Sequence, residues 1–315
     1  MRRGYIPSAI GIVLIVVSME ASGVRGAPLW RATVDANSLW VRAGESPVLQ
    51  YRYGDVPFKP YVKELYTPNG LNVLLDAPHD HLHHHALMFA VAVDGVNCWE
   101  ETPTAGHQRH DAFIERELGS GPRSWARFGE RIHWVDAAGR RLLDEQRTVN
   151  VRHAGEPKAV LLTWQSQLSV PEGKASVTLS GSHYFGLGLR FIRAMDVHGQ
   201  FRNADGRPGV VFRGEERLTD SDWCAYTSKA GDTVVTIAMF GHPDNPRHPT
   251  TWFTMATPFA YLSATMRLHE KPLVVPSGEP LMLRYGVAVW DGQIEVPRIE
   301  AMYQEWVSQE SVLSD

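Results

Sequence analysis

Cysteine is nearly missing: two residues, Cys98 and Cys224, serve a chain of 315. They have no CxxC spacing, which removes the usual redox and zinc motifs. One disulfide or two buried thiols remain as open alternatives. No basic stripe is present and the net charge is −4, which argues against nucleic acid as a partner. There is no GxSxG, no phosphate-binding glycine loop and no dinucleotide fingerprint, so those nucleophile and nucleotide chemistries drop out. No HExxH accompanies the histidines. No internal repeat or low-complexity linker divides the chain. Apart from one amino-terminal run, no stretch is apolar for the roughly 20 residues that a helical membrane span needs.

That run, AIGIVLIVV at residues 9–17, follows Arg2 and Arg3 and precedes small residues at 21–27. The order of charge, apolar core and small residues is that of a secretory leader. The expectation is a leader over 1–26, a single domain over 27–315, and a periplasmic or secreted location with no membrane span in the mature chain.

The body reads as strands. In LMLRYGVAVWDG, Leu281, Leu283, Tyr285, Val287 and Val289 alternate onto one face. DTVVTIAMFG and AVLLTWQSQLSV are rich in β-branched and aromatic residues. VDAAGRRLLDEQRTVNV reads as a hairpin turning at Ala138-Gly139. One helix stands out: Ile299, Met302, Tyr303, Trp306 and Val307 recur at helical spacing, and Pro297 suits the first turn. This stripe is expected to pack on the edge of the sheets. Many strands, one late helix and no βαβ rhythm predict an all-β fold, a large two-sheet β-sandwich with a C-terminal helix.

Five of the fourteen histidines lie in APHDHLHHHALMF, residues 77–89. The strand that follows, from residue 86, puts Leu87, Phe89, Val91 and Val93 on a packed face and the smaller Met88, Ala90 and Ala92 on the other. Carried backwards, that register puts His85 on the packed face and His84 on the other, where it would meet solvent or ligand if that face is the open, concave one. A short helical turn after Pro78 would instead pair His79 with His83 and His81 with His85, as a metal clamp. Three readings stand side by side. They are a divalent metal site on His81, His83, His84 and His85, metal-free acid/base work, and a solvated cluster.

A second dense loop, FGHPDNPRHPTTWF, joins Asn245, Arg247, His248 and Trp252 to three prolines. A stiffened loop with a guanidinium, an imidazole and an indole fits a grip on a sugar or carboxylate. A structured turn with Trp252 in the core fits as well. His107 and His110 in GHQRHD, Glu145 in LLDEQRTV, and the charges of FRGEERLTDSDW, Arg213 and Glu216 among them, complete the candidates.

The segments PYVKELYTPNG, APHDHLHHHALMFAVAVDGVNCWE, GHPDNPRHPTTWF and LRYGVAVWDG together resemble the bacterial family labelled PmoA-like, over roughly residues 40–305. Its most specific parts are Asp80 followed by His83, His84 and His85, and the Asp244–Pro249 loop. The resemblance implies a fold similar to the galactose-mutarotase-like supersandwich and a setting of polysaccharide utilisation. A methane oxygenase, as that family is sometimes labelled, would need several membrane spans, and this chain has none beyond its leader. The resulting expectation is an exported carbohydrate-active protein whose partner is a sugar or oligosaccharide. His84 and His85 would be its central catalytic groups, with His110 nearby and Glu145 as carboxylate partner. Asn245, Arg247, His248 and Trp252 would hold the ligand. A non-catalytic sugar-binding or structural protein on the same scaffold is the alternative.

Overall fold

The computed structural model describes residues 17–20, 29–119 and 124–312. The leader expected over 1–26 lies outside the described residues except for Val17–Glu20, an edge strand paired with Trp30–Val34.

Among the described residues the chain forms three antiparallel sheets and one long helix. The first sheet has eleven strands. It runs from Val17–Glu20 through Trp30–Val34, Ser38–Ala43, Ser46–Arg52, Tyr61–Leu65 and Leu87–Ala90. It continues through Gly186–Arg190, Tyr261–Thr265, Thr251–Met255, Glu216–Asp220 and Val210–Arg213. The second has eight, in the order Gln200–Asn203, Trp223–Ala230, Thr233–Gly241, Leu281–Asp291, Ala159–Ser169, Arg141–Ala154, Trp125–Val135 and His107–Gly119. A small sheet pairs Leu273–Pro276, Ser176–Ser180, Ala92–Val93 and Val96–Asn97. The expected hairpin at Ala138-Gly139 joins Trp125–Val135 to Arg141–Ala154, with Gly139 at φ 85°.

The two large sheets meet through one apolar core. Leu39, Val41 and Leu49 of the first and Ile132, Leu143 and Val149 of the second are fully buried in it. In Leu281–Asp291 the odd residues Leu283, Tyr285, Val287 and Val289 enter this core. Its even residues Ala288 and Trp290 lie under the helix Val296–Val312 in a second apolar cluster. The helix therefore covers the outer face of the eight-stranded sheet, and not an edge as its stripe alone suggested. Ile299, Met302, Tyr303 and Trp306 are its buried side. Gly286 is what lets Trp306 come down, because a Cβ there would stand 3.0 Å from the indole. Cys98 and Cys224 are both free and buried, so the disulfide alternative falls.

One local expectation fails. The strand after the histidines breaks at Val91, and both of its faces are covered: Met88, Ala90 and Ala92 are all buried. The chain passes there into the small sheet, whose Val93, Val177 and Leu179 join the main core. No open face runs along this strand.

Candidate functional site

Residues 77–86 close on themselves before the strand begins. Ala77 N–H donates to His84 O, and Asp76 pairs with His85 in an isolated bridge. Two turns follow each other inside, with His81 N–H donating to Pro78 O and His84 N–H donating to His81 O. The helical alternative with its i, i+4 clamp is thus not formed. His79 instead accepts a bond from Arg193 at 2.7 Å. The imidazole of His84 stacks on that of His81 with centroids 4.7 Å apart.

A pocket of about 230 Å³ opens beside this loop. His81, His83 and His84 form one wall, and Phe259 and Tyr261 another. Phe253 and Met255 lie on the strand next to Tyr261, and Tyr184 and Glu100 arrive from two separate loops. Arg213 and Glu216, from the hairpin at the sheet's end, close the far side. Sheet register explains the gathering. Arg190, Tyr261 and Met255 are cross-strand partners in one row, as are Gly188, Ser263 and Phe253 in the next. Partners share a face, so these side chains stand on one side of the eleven-stranded sheet. Gly188 makes the room: a Cβ there would sit 2.0 Å from the Tyr261 hydroxyl.

Burial sets the electrostatics. It drives the pKa of His84 down to about 2, and a second positive charge there would also meet the neighbouring rings of His83 and His81 and the guanidinium of Arg190. Burial, with Lys59 adding to it, also lowers that of His83. His183, just behind the wall, is lowered by burial although Glu216 pulls the other way. All three rings are neutral at pH 7. Glu216 is held on both sides, by Arg213 at 2.7 Å and by His183 Nε2 at 2.9 Å.

The remaining expected site residues lie elsewhere. His85 is on the opposite side of the backbone from His84, clamped between Asp76 and Glu101 at 2.8 Å each. Both its ring nitrogens are engaged. Burial would lower its pKa, but the two carboxylates outweigh that and raise it, so it is held as imidazolium. Lys59, itself fully buried, continues the chain to Glu101 at 3.0 Å. His85 therefore cannot join a metal set with His81, His83 and His84. Among the described residues no three His, Cys, Asp or Glu side chains gather closely enough to hold an ion.

Glu145 does not line this pocket. It is buried at the interface of the sheets, with its oxygens taken by Trp134, Ser166 and Arg147. His110 belongs to the same network at its outer end, through Glu130 and Tyr51.

The NPRHP loop is a structural clamp. Asn245 exchanges two bonds with the backbone of Arg284, each 2.7 Å long. Arg247 donates to the carbonyls of Met266, Arg267 and Pro272. His248 pairs with Asp222 at 3.1 Å. Trp252 is fully buried in the core, and its indole donates to Ser221 O at 2.9 Å. One residue on, period-two alternation puts Phe253 on the pocket side. None of Asn245, Arg247, His248 and Trp252 lines the pocket. The sequence had marked Arg213 and Glu216 only in passing. Glu100, Tyr184, Phe259 and Tyr261 carried no signal, since each looks like an ordinary loop or strand residue.

A family model described as "Family of unknown function (DUF6807)" matches residues 38–304. The chain belongs to DUF6807. No curated protein matches it. Among solved structures, the alpha-galactosidase from Lactobacillus brevis is similar over 88% of this chain and 40% of its own, at 6% identity and a TM-score of 0.39. A TPR-domain containing protein from Parabacteroides distasonis is similar over 85% of this chain and 48% of its own, at 8% identity and a TM-score of 0.35. This DUF6807 chain spans less than half the length of either.

Proposed function

We propose that this DUF6807 chain is an exported carbohydrate-active protein that takes a single sugar ring in the pocket beside His84. The observation that carries the reading is the make-up of the walls. Aromatic side chains of Tyr184, Phe253, Phe259 and Tyr261 line it together with three imidazoles, two carboxylates and a guanidinium. A pyranose needs that pairing, since its C–H face is apolar and its rim is hydroxylated. At about 230 Å³ the space lies below the roughly 300–1,000 Å³ of drug-sized sites, which fits one ring. The resemblance to PmoA-like proteins of polysaccharide-utilisation settings supports the same substrate class.

Roles divide by chemistry. His84, neutral well below pH 7, is a fixed hydrogen-bond partner and a poor proton carrier. His83 keeps a basic lone pair at neutral pH and lies half-buried at the mouth, so it is the better general base. Glu100 adds a second carboxylate to the lining, beside the Arg213-held Glu216. The test is titration of a monosaccharide panel by calorimetry, with Phe259→Ala and His83→Gln alongside. Binding that falls at least tenfold in Phe259→Ala supports the site. Turnover lost in His83→Gln with binding kept assigns the base. Unchanged affinity in Phe259→Ala refutes the site.

A further inference from the structure

A second cavity, of about 420 Å³, lies between residues 53–58 and the start of His107–Gly119, the edge strand of the eight-stranded sheet. Its walls are tied in place from behind. Gln108 N–H donates to Phe58 O at 2.7 Å, and buried Arg147 donates to Pro60 O at 2.9 Å. Gly54 N–H donates to Asn37 O, and a Cβ at Gly54 would stand 2.2 Å from Ala36 O. The cavity is therefore built before any ligand arrives.

Phe58 and His107 line it and stack face to face, centroids 4.4 Å apart and planes 12° apart, so each ring keeps one outer face and holds the other in place. His110 lines the same cavity, with its Nδ1 2.6 Å from Oε1 of Glu130. Glu130 is wholly buried. Its other oxygen accepts from the Tyr51 hydroxyl, which in turn accepts from Arg147 at 3.0 Å. Because Tyr51 accepts from Arg147, its own proton goes to Glu130, and the carboxylate is the acceptor in this chain. It therefore fixes the proton of His110 on Nδ1 and leaves Nε2 as the ring atom available to the cavity. Asp55 and Arg109, both exposed, also line the cavity.

We propose that this cavity is a second saccharide site, in which a sugar ring packs on an outer face of the Phe58–His107 stack and donates a hydroxyl hydrogen bond to His110 Nε2. The site stands apart from the pocket beside His84 and shares none of its lining residues. It fits an internal unit of a longer chain, because it lies on a sheet edge.

Imidazole ¹⁵N–¹H spectra of the full chain test this, with xylotetraose, cellotetraose and maltotetraose as probes. The expected result is an Nδ1–H tautomer at His110 in the free protein. At least one tetrasaccharide should shift His110 Nε2. Phe58→Leu, which keeps apolar bulk but removes the ring stacked on His107, should weaken that response at least tenfold. Arg109→Ala, on an exposed side chain that leaves the fold alone, should weaken it severalfold. Phe259→Ala in the other pocket should leave it unchanged. If no tetrasaccharide moves His110, or if Phe58→Leu binds like wild type, the second site is refuted. Sugar binding lost only in Phe259→Ala would refute this site and leave the first intact.

Discussion

Replacing His85 by alanine should cost more stability than any other single change in the histidine loop. The ring is 4% exposed and donates from both nitrogens, to Asp76 and Glu101, which are 21% and 12% exposed. Each is a hydrogen bond between charged groups, worth about 1.5–3 kcal/mol. Removing the imidazolium leaves two carboxylates short of a partner, and breaking a buried ion pair costs about 3–5 kcal/mol. Tyr61 still serves Asp76, and Lys59 still serves Glu101. We therefore take about 4 kcal/mol, which corresponds to a fall in Tm of about 8 °C for a large domain. The pH dependence gives an independent check. The native pKa of His85 is raised above its ordinary value. Its contribution is then complete below the unfolded pKa of about 6.5 and is lost as pH rises through the native one. The gap between wild type and His85→Ala should narrow from pH 6 towards pH 9. Urea denaturation across that range measures it. A cost below about 1 kcal/mol, or a gap that widens with pH, would refute the imidazolium clamp.

Three other outcomes follow from the same geometry. His84 has its pKa depressed to about 2, so the unfolded chain takes up a proton that the native state refuses. Stability should decline below about pH 6.5, at up to about 1.4 kcal/mol per pH unit, and His84→Gln should flatten that decline in urea melts. Arg147→Ala should cost about 3–5 kcal/mol, because it strands Glu145 in the core; Arg147→Met strands Glu145 equally but should cost less by the same assay, since it fills part of the space the guanidinium leaves over Trp164. Gly188→Ala forces Tyr261 aside; calorimetric unfolding should show a loss of about 1–3 kcal/mol, together with weaker sugar binding.

Much of the frame was legible because it rests on short-range periodicity. Alternation in Leu281–Asp291 and the stripe from Ile299 to Trp306 depend only on backbone geometry, and both describe the buried faces found. The orientations of His84 and His85 were not legible in this way, since the turns of residues 77–86 and Ala86 at φ 47° interrupt the strand register. The function of the NPRHP loop was also illegible. Its prolines and guanidinium fit a ligand grip and a backbone clamp equally well. What decides is where the carbonyls of Met266, Arg267 and Pro272 lie. Trp252 and Phe253 likewise exchange core and pocket on a one-residue phase, which nothing local fixes.

By itself, then, the sequence determined the all-β class, the closing helix and the prominence of the histidine loop, because each depends on residues within a few positions. Only the tertiary structure decided which histidines meet which walls. Glu100, Tyr184, Glu216, Phe259 and Tyr261 come from distant segments, and sheet register, set by long-range pairing, is what brings them to His84.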